Sequence, residues 1–270
     1  MIDILNLSKT FHPGTINEVN ALCDITFRVE EGSFVVLVGT NGSGKSSLLN
    51  AIAGNFIADH GKIILDGIDI TRMAEHKRAK YIGRVFQNPF SGTAPDMSIA
   101  ENIALAARRG QPGNLRWALP ETLLRGFRER VKPLGMELED RLDSPIGKLS
   151  GGQRQALTLL MASWIKPKLL LLDEHTAALD PKTAGKVIQL TEEVVRKNQM
   201  TTLMVTHSMP QAVKMGDRIL MLHKGKIVND MNGQEKQRLK IGDLMTLFDE
   251  IRKKDQIDQT VADMIDQMYV

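Results

Sequence analysis

Cysteine is almost absent from this chain: Cys23 is the only one, so no internal disulfide can form and no cysteine pair can begin a zinc site. A reducing compartment is the natural expectation. Aromatic residues are also scarce, at 4%, which leaves few candidates for stacking on a base or a sugar ring. No uninterrupted apolar run approaches the roughly 18 residues required to cross a membrane. The opening MIDILNLSKTF alternates apolar residues in the manner of a strand and lacks the form of a signal peptide. Nor is there a strong charge of one sign. Thirty-five basic residues against thirty-two acidic leave +3, too little and too dispersed to point to nucleic acid as the main partner.

What the chain does contain is an alternation of two patterns. Apolar runs of β type recur at 34–38, 62–65, 81–86, 169–172, 202–205 and 218–222, and those at Phe34, Leu169 and Thr202 are nearly continuous, as strands buried on both faces require. Helical segments follow at Lys45, Pro181 and Met209. This predicts an α/β core with its active loops at the carboxyl ends of parallel strands. Between 88 and 164 the strand signals give way to helical composition at 98–109, 120–131 and 151–164, which predicts an inserted helical subdomain. The expected organisation is therefore an α/β core made of residues 1–87 and 165–230, a helical subdomain of 88–164 and a helical extension of 231–270. In that extension a polar linker precedes two apolar stripes, Leu244, Phe248 and Ile251, then Val261, Met264, Ile265 and Met268. Packing on the core or against each other is the expectation for both, with a partner-binding or dimer-forming tail as the alternative.

Three motifs carry chemistry. GTNGSGKSS, from Gly39 to Ser47, fits G-x-x-x-x-G-K-S and sits between the strand FVVLV and the helical SLLNAIAG. Gly39, Gly42 and Gly44 allow the backbone around Asn41 and Ser43 to turn its N–H groups inward toward phosphate, and the helix beginning near Ser47 adds its positive end. Lys45 would neutralise the β- and γ-phosphates and the Ser46 hydroxyl would hold Mg²⁺. LLLLDE then ends a buried strand in two acids: Asp173 suits a metal, and Glu174 suits polarisation of a water attacking the γ-phosphate. LSGGQRQ, from Leu149 to Gln155, has a capping-box spacing between Ser150 and Gln153, so it can simply start a helix. With Gly151 and Gly152 the same helix start can also receive an anion.

The order and spacing of these strings resemble the nucleotide-binding subunit of an ATP-binding cassette (ABC) transporter over about residues 1–230. The resemblance implies a P-loop NTPase fold of ABC type with an inserted helical subdomain, and ATP hydrolysis with Mg²⁺ as cofactor. It makes Gln87, at the end of YIGRVFQ, the Q-loop glutamine near metal and γ-phosphate, beside the contact with a transmembrane partner. It makes His207, in VTHS, the switch histidine, and Asp180, ending AALD, the D-loop residue at a dimer interface. Ser150, Gly151, Gly152 and Gln153 become the signature that reaches the ATP of a second subunit. Phe11 is the candidate to stack on adenine. One departure is visible: His175 follows Glu174 where the family usually has proline.

A homodimer joined to transmembrane permease subunits, with a substrate-binding protein where the system is an importer, is the implied assembly. It would lie on the cytoplasmic face of a membrane. DEHTAALDPKTA and LSGGQRQALTLLMA resemble subunits of bacterial uptake systems for aromatic amino acids and related small solutes. Export or lipoprotein release remains the alternative within transport, and a soluble ABC ATPase that never meets a membrane is the alternative outside it.

Overall fold

A computed structural model describes residues 1–111, 119–251 and 253. β1 (Ile2–Phe11) and β2 (Val19–Val29) pair as an antiparallel hairpin, and β3 (Phe34–Gly39) leads through the glycine loop into α1 (Lys45–Ala53). β4 (His60–Leu65), β5 (Ile68–Asp69) and the short α2 (Glu75–Arg78) precede β6 (Ile82–Val85). Then come α3 (Ile99–Ala107), α4 (Glu121–Val131) and α5 (Gly151–Ser163), before β7 (Leu169–Asp173), α6 (Pro181–Lys197), β8 (Thr202–Val205) and α7 (Met209–Met215). β9 (Arg218–His223), β10 (Lys226–Met231) and α8 (Gly233–Arg238) follow, and residues 241–251 are helical.

The strands form a four-stranded antiparallel sheet, β2-β1-β4-β5, and a six-stranded sheet, β10-β9-β3-β8-β7-β6, parallel except for β10 at its edge. Alternation along β3 explains how the layers share the core. Val35 and Leu37 point toward the antiparallel sheet and α1, joining Ile4, Leu48 and Ile52, while Phe34, Val36 and Val38 point the other way, to the face covered by α6 and α7. Apolar side chains on both faces are why this strand reads as a continuous run.

The helical region carries its own core. Ile99, Ile103, Phe127, Val131, Leu142 and Leu157 are buried together, and Phe127 meets Trp164 edge-on with ring centroids 5.3 Å apart. α3 starts in a full capping box, in which Ser98 Oγ accepts from Glu101 N and a Glu101 oxygen accepts from Ser98 N.

Two features differ from the sequence expectation. The supposed polar linker after Asn229 is structured: β10 continues to Met231, paired with Ile219 of β9, and α8 follows directly. Edge pairing explains this, because β10 alternates exposed and half-buried positions and offers no long apolar run. A second unforeseen element is a buried arginine. Arg78 is 1% exposed and donates to the carbonyls of Ala51 and Ile52 in α1 and of Thr71 and Met73, satisfying groups that the helix end leaves open. In the extension, Leu244 is buried and Phe248 and Ile251 pack beside it against the α6/α7 face. The stripe at Val261, Met264, Ile265 and Met268 lies outside the described residues.

Candidate functional site

The loops that matter leave the carboxyl ends of neighbouring parallel strands, β3, β8, β7 and β6, which is where an open α/β sheet places its ligands. From β3 comes the glycine loop. Gly44, with φ of 101°, precedes α1 and gives no side-chain cap, so the helix's first-turn amides are left facing outward for an anion. A Cβ at Gly44 would strike Ala21 O, so the turn demands glycine for space as well as for its dihedral. Lys45 is only 5% exposed and its ammonium donates to Gly39 O at 3.0 Å and Thr40 O at 2.8 Å, so its charge lies inside the loop. Burial lowers its pKa, while Glu174 and Asp173 counter that shift. Asn41, Gly42 and Ser46 are exposed, Ser47 is half-buried, and Ser43 is buried beneath the loop.

β7 ends in the two acids. Glu174 has φ of +43°, a left-handed backbone that a non-glycine residue adopts at a cost, and its N–H is held by Val205 O at 3.0 Å. Its carboxylate gathers the other two expected residues: His207 Nε2 lies 2.6 Å from Oε1, and Gln87 Nε2 donates to Oε2 at 3.2 Å. Thus Gln87, Glu174 and His207 form one cluster, supplied by the ends of β6, β7 and β8. His207 is held in place by its neighbours. Thr206 Oγ1 accepts from Ser208 N at 3.0 Å and donates to Gln211 Oε1 at 2.9 Å, and Ser208 caps α7.

LSGGQRQ forms the start of α5 as a reciprocal capping box: Ser150 Oγ accepts from Gln153 N at 3.3 Å, and Gln153 Oε1 accepts from Ser150 N at 3.1 Å. Gly152 is required for a different reason from Gly44. A Cβ there would collide with Thr183 Cγ2 in the first turn of α6, so glycine lets the two helix starts meet. Asp180 caps that α6, accepting from Thr183 N at 3.1 Å, and this holds its carboxyl below the ordinary range. Phe11 closes β1, half-buried, edge-on to Phe56 at 5.2 Å with Lys9 Nζ 5.6 Å from its ring centre.

Residues not singled out from sequence tie these parts together. Gln155, fully buried, donates from Nε2 to Phe86 O at 3.0 Å, joining α5 to the residue just before Gln87. Arg154 lies 4.0 Å from the Phe90 ring centre and donates to Ile146 and Gly147 carbonyls. Arg84 reaches Asp173. Charged or amide residues flanked by apolar ones, as in IGRVFQ and QRQALTLL, are the signal that would have pointed to all three.

His175, in place of proline, is packed inward. Thr191 Oγ1 gives its proton to Val187 O at 2.8 Å and so accepts from His175 Nε2 at 2.9 Å, which assigns the imidazole proton to Nε2. Complete burial pushes its pKa down from 6.5 to about 4. The native state therefore prefers the neutral ring, and the unfolded chain binds the extra proton. The associated stability is complete above about pH 6.5 and is lost as pH falls toward 4. Between pH 7 and 4.5 the chain is expected to lose about 2–3 kcal/mol more than His175→Leu loses, read from urea unfolding at each pH. Equal losses in the two proteins would show that the ring does not titrate this way.

The family model for the ABC transporter matches residues 22–177. A tyrosine transport ATP-binding protein of Clostridioides difficile (strain R20291) is 44% identical over 92% of this chain and 99% of its own length. The energy-coupling factor transporter ATP-binding protein EcfA2 of Clostridium tetani (strain Massachusetts / E88) is 33% identical over 85% of this chain and 78% of its own length. Among solved structures, a dimeric post-hydrolysis state of the ATP-binding cassette MJ0796 bound to ADP and Pi superposes with a TM-score of 0.73, at 29% identity, over 86% of this chain and 98% of that one. With the glycine loop, the acids of β7 and the LSGGQ helix set on this fold, the chain belongs to the ABC transporter family and is the ATP-binding, ATP-hydrolysing subunit of a membrane transporter.

Proposed function

We propose that two copies of this chain pair head to tail and hydrolyse ATP held between the glycine loop of one and the Ser150–Gln153 helix start of the other. The observation that carries the reading is the convergence on Glu174, whose two carboxylate oxygens face His207 and Gln87. In this scheme Lys45 and the amides of 39–47 hold the phosphates, Phe11 stacks on adenine, and Glu174 takes a proton from the attacking water. His207 orients the γ-phosphate. Asp180, at the first turn of α6, contacts the second copy.

The donor set suits a hard cation, since the Ser46 hydroxyl, the Asp173 carboxylate and the Gln87 amide all present oxygen. Mg²⁺ bound there would neutralise charge on the β- and γ-phosphates. Asp173 would orient it from the end of a buried strand, and Gln87 would link it to the helical region.

A groove of about 350 Å³ runs between β6, α3 and α5, lined by Ile82, Phe86, Leu105 and Met161 with Arg84 and Arg109 at its walls. It begins beside Gln87, and we assign it to a cytoplasmic segment of a transmembrane permease. Among the described residues no helix is long and apolar enough to cross a membrane. The tyrosine transport relative supports an amino acid or similar small solute as cargo, and to this we add uptake with delivery by a binding protein.

Affinity purification of the full chain from detergent-solubilised host membranes is expected to recover a permease in stoichiometric amount. Leu105→Glu, a charge placed at a groove residue 46% exposed, is expected to remove most of that recovery. Recovery of soluble partners alone would defeat the transport assignment for this chain's partners, and undiminished recovery by the variant would defeat the groove.

A further inference from the structure

A guanidinium in a strand between buried neighbours calls for a physical reason. Arg84 follows Gly83 and precedes Val85 on β6, both buried, and its own side chain is 12% exposed. Its fork is fixed from three sides. Nη2 donates to Asn50 Oδ1 at 2.7 Å and Nη1 to Asn55 Oδ1 at 3.0 Å, at the far end of α1, while Cζ stands 4.6 Å from the Phe86 ring centre. So held, Nη2 lies 3.4 Å from Asp173 Oδ2, whose side chain is 13% exposed.

That spacing is longer than a charge-assisted hydrogen bond of about 2.7–2.9 Å. The pair is therefore governed by charge more than by bond strength, and two neutral amides, not Asp173, fix where the charge sits. An arginine remains charged at any working pH, and a partly buried pair is poorly screened by salt. Asp173 thus faces Arg84 directly and also acts through its charge on Lys45.

We propose that Arg84 is a positioning residue for Asp173 that sets the affinity of the divalent-cation site. Its fixed charge orients the carboxylate and offsets part of its negative potential, so the cation is held loosely enough to exchange with each nucleotide. The inference rests on the reading of Asp173 as a metal ligand. Because Arg84 also walls the groove beside Phe86, docking there and cation binding at Asp173 act on one guanidinium.

The test is a Mn²⁺ titration of the full chain with ATP in a Glu174→Gln background, following free Mn²⁺ by electron paramagnetic resonance, a readout independent of turnover. Arg84→Met is expected to tighten Mn²⁺ binding about five- to tenfold, because a unit charge beside the ligand is removed. Arg84→Lys keeps the charge but loses the fork that fixes it, and should fall between the parent and Arg84→Met. Arg84→Gln, which can still bond one asparagine, should repeat the tightening if the methionine variant folds poorly. Asp173→Asn in the same background separates the two readings. Its unchanged affinity would overturn the ligand assignment and the proposal together. Weaker binding there, with Arg84→Met and Arg84→Gln no tighter than the parent or Arg84→Lys shifted as far as they are, would overturn the role of Arg84 alone.

Discussion

Glu174→Gln is expected to lower ATP turnover by about 10²–10⁴-fold, the usual contribution of a positioned general base, while leaving ATP binding intact. The substitution preserves the side chain's size and removes its charge. Glutamine can still accept a hydrogen bond from His207, now 2.6 Å from Oε1, so the loop after β8 keeps its place. On the proposed role, what disappears is the ability to take a proton from water. Loss of a negative charge beside the phosphate loop also reduces repulsion of ATP, so affinity should hold or rise. Bound ATP then persists between two copies, and a dimer should accumulate on sizing chromatography with ATP and not with ADP. Steady-state turnover within a few-fold of the parent would remove Glu174 from the role of base.

The backbone at Glu174 bears on how its carboxylate is placed. A left-handed φ on a glutamate is stored strain, held by the Val205 carbonyl on one side and the buried His175 on the other. A proline at 175 would restrict the residue before it. With histidine in that place, the Thr191 hydrogen bond anchors the turn to α6. The departure from the family's usual residue thus exchanges ring rigidity for a hydrogen bond, at the cost of the acid sensitivity predicted above.

How far the sequence could be read follows from where each element buries its residues. β3, β7 and β8 were legible because both faces are covered, which forces runs such as LLLL at 169–172. β10 was not, since an edge strand with exposed alternate positions looks like polar linker. β2 was missed although Ile25, Phe27 and Val29 alternate into the core, because Asn20, Asp24 and Arg28 interrupt the apolar count. Within the site, motif residues could be named in advance because loop chemistry is local. Their convergence could not. Gln87 and Glu174 are 87 positions apart, and only the β6–β7 pairing sets them within 3.2 Å. Arg84 lay in plain view inside IGRVFQ, but its meaning depends on Asn50, Asn55 and Asp173, contributed by separate elements.

Lys45→Ala should produce the largest loss of ATP affinity, about 10- to 100-fold, corresponding to roughly 1.4–2.7 kcal/mol for a charge-assisted contact with phosphate. The ammonium is already placed: buried inside the loop, which lowers its pKa, bonded to Gly39 O and Thr40 O, and opposed in that shift by the two acids of β7. Binding phosphate therefore requires it to exchange carbonyl partners for oxyanions, with little cost in side-chain ordering. Alanine leaves the buried Gly39 carbonyl and the half-buried Thr40 carbonyl without that partner, so the thermal midpoint should fall as well and is recorded beside the affinity. Lys45→Arg is a useful contrast, since a wider, planar fork cannot repeat the ammonium's bonds to Gly39 O and Thr40 O inside the loop and should not restore binding. Calorimetric titration of ATP into the three proteins decides the matter. Unchanged affinity in Lys45→Ala would count against the loop as the phosphate site, and affinity lost together with folded structure would mean that the ammonium serves the loop's architecture before it serves ATP.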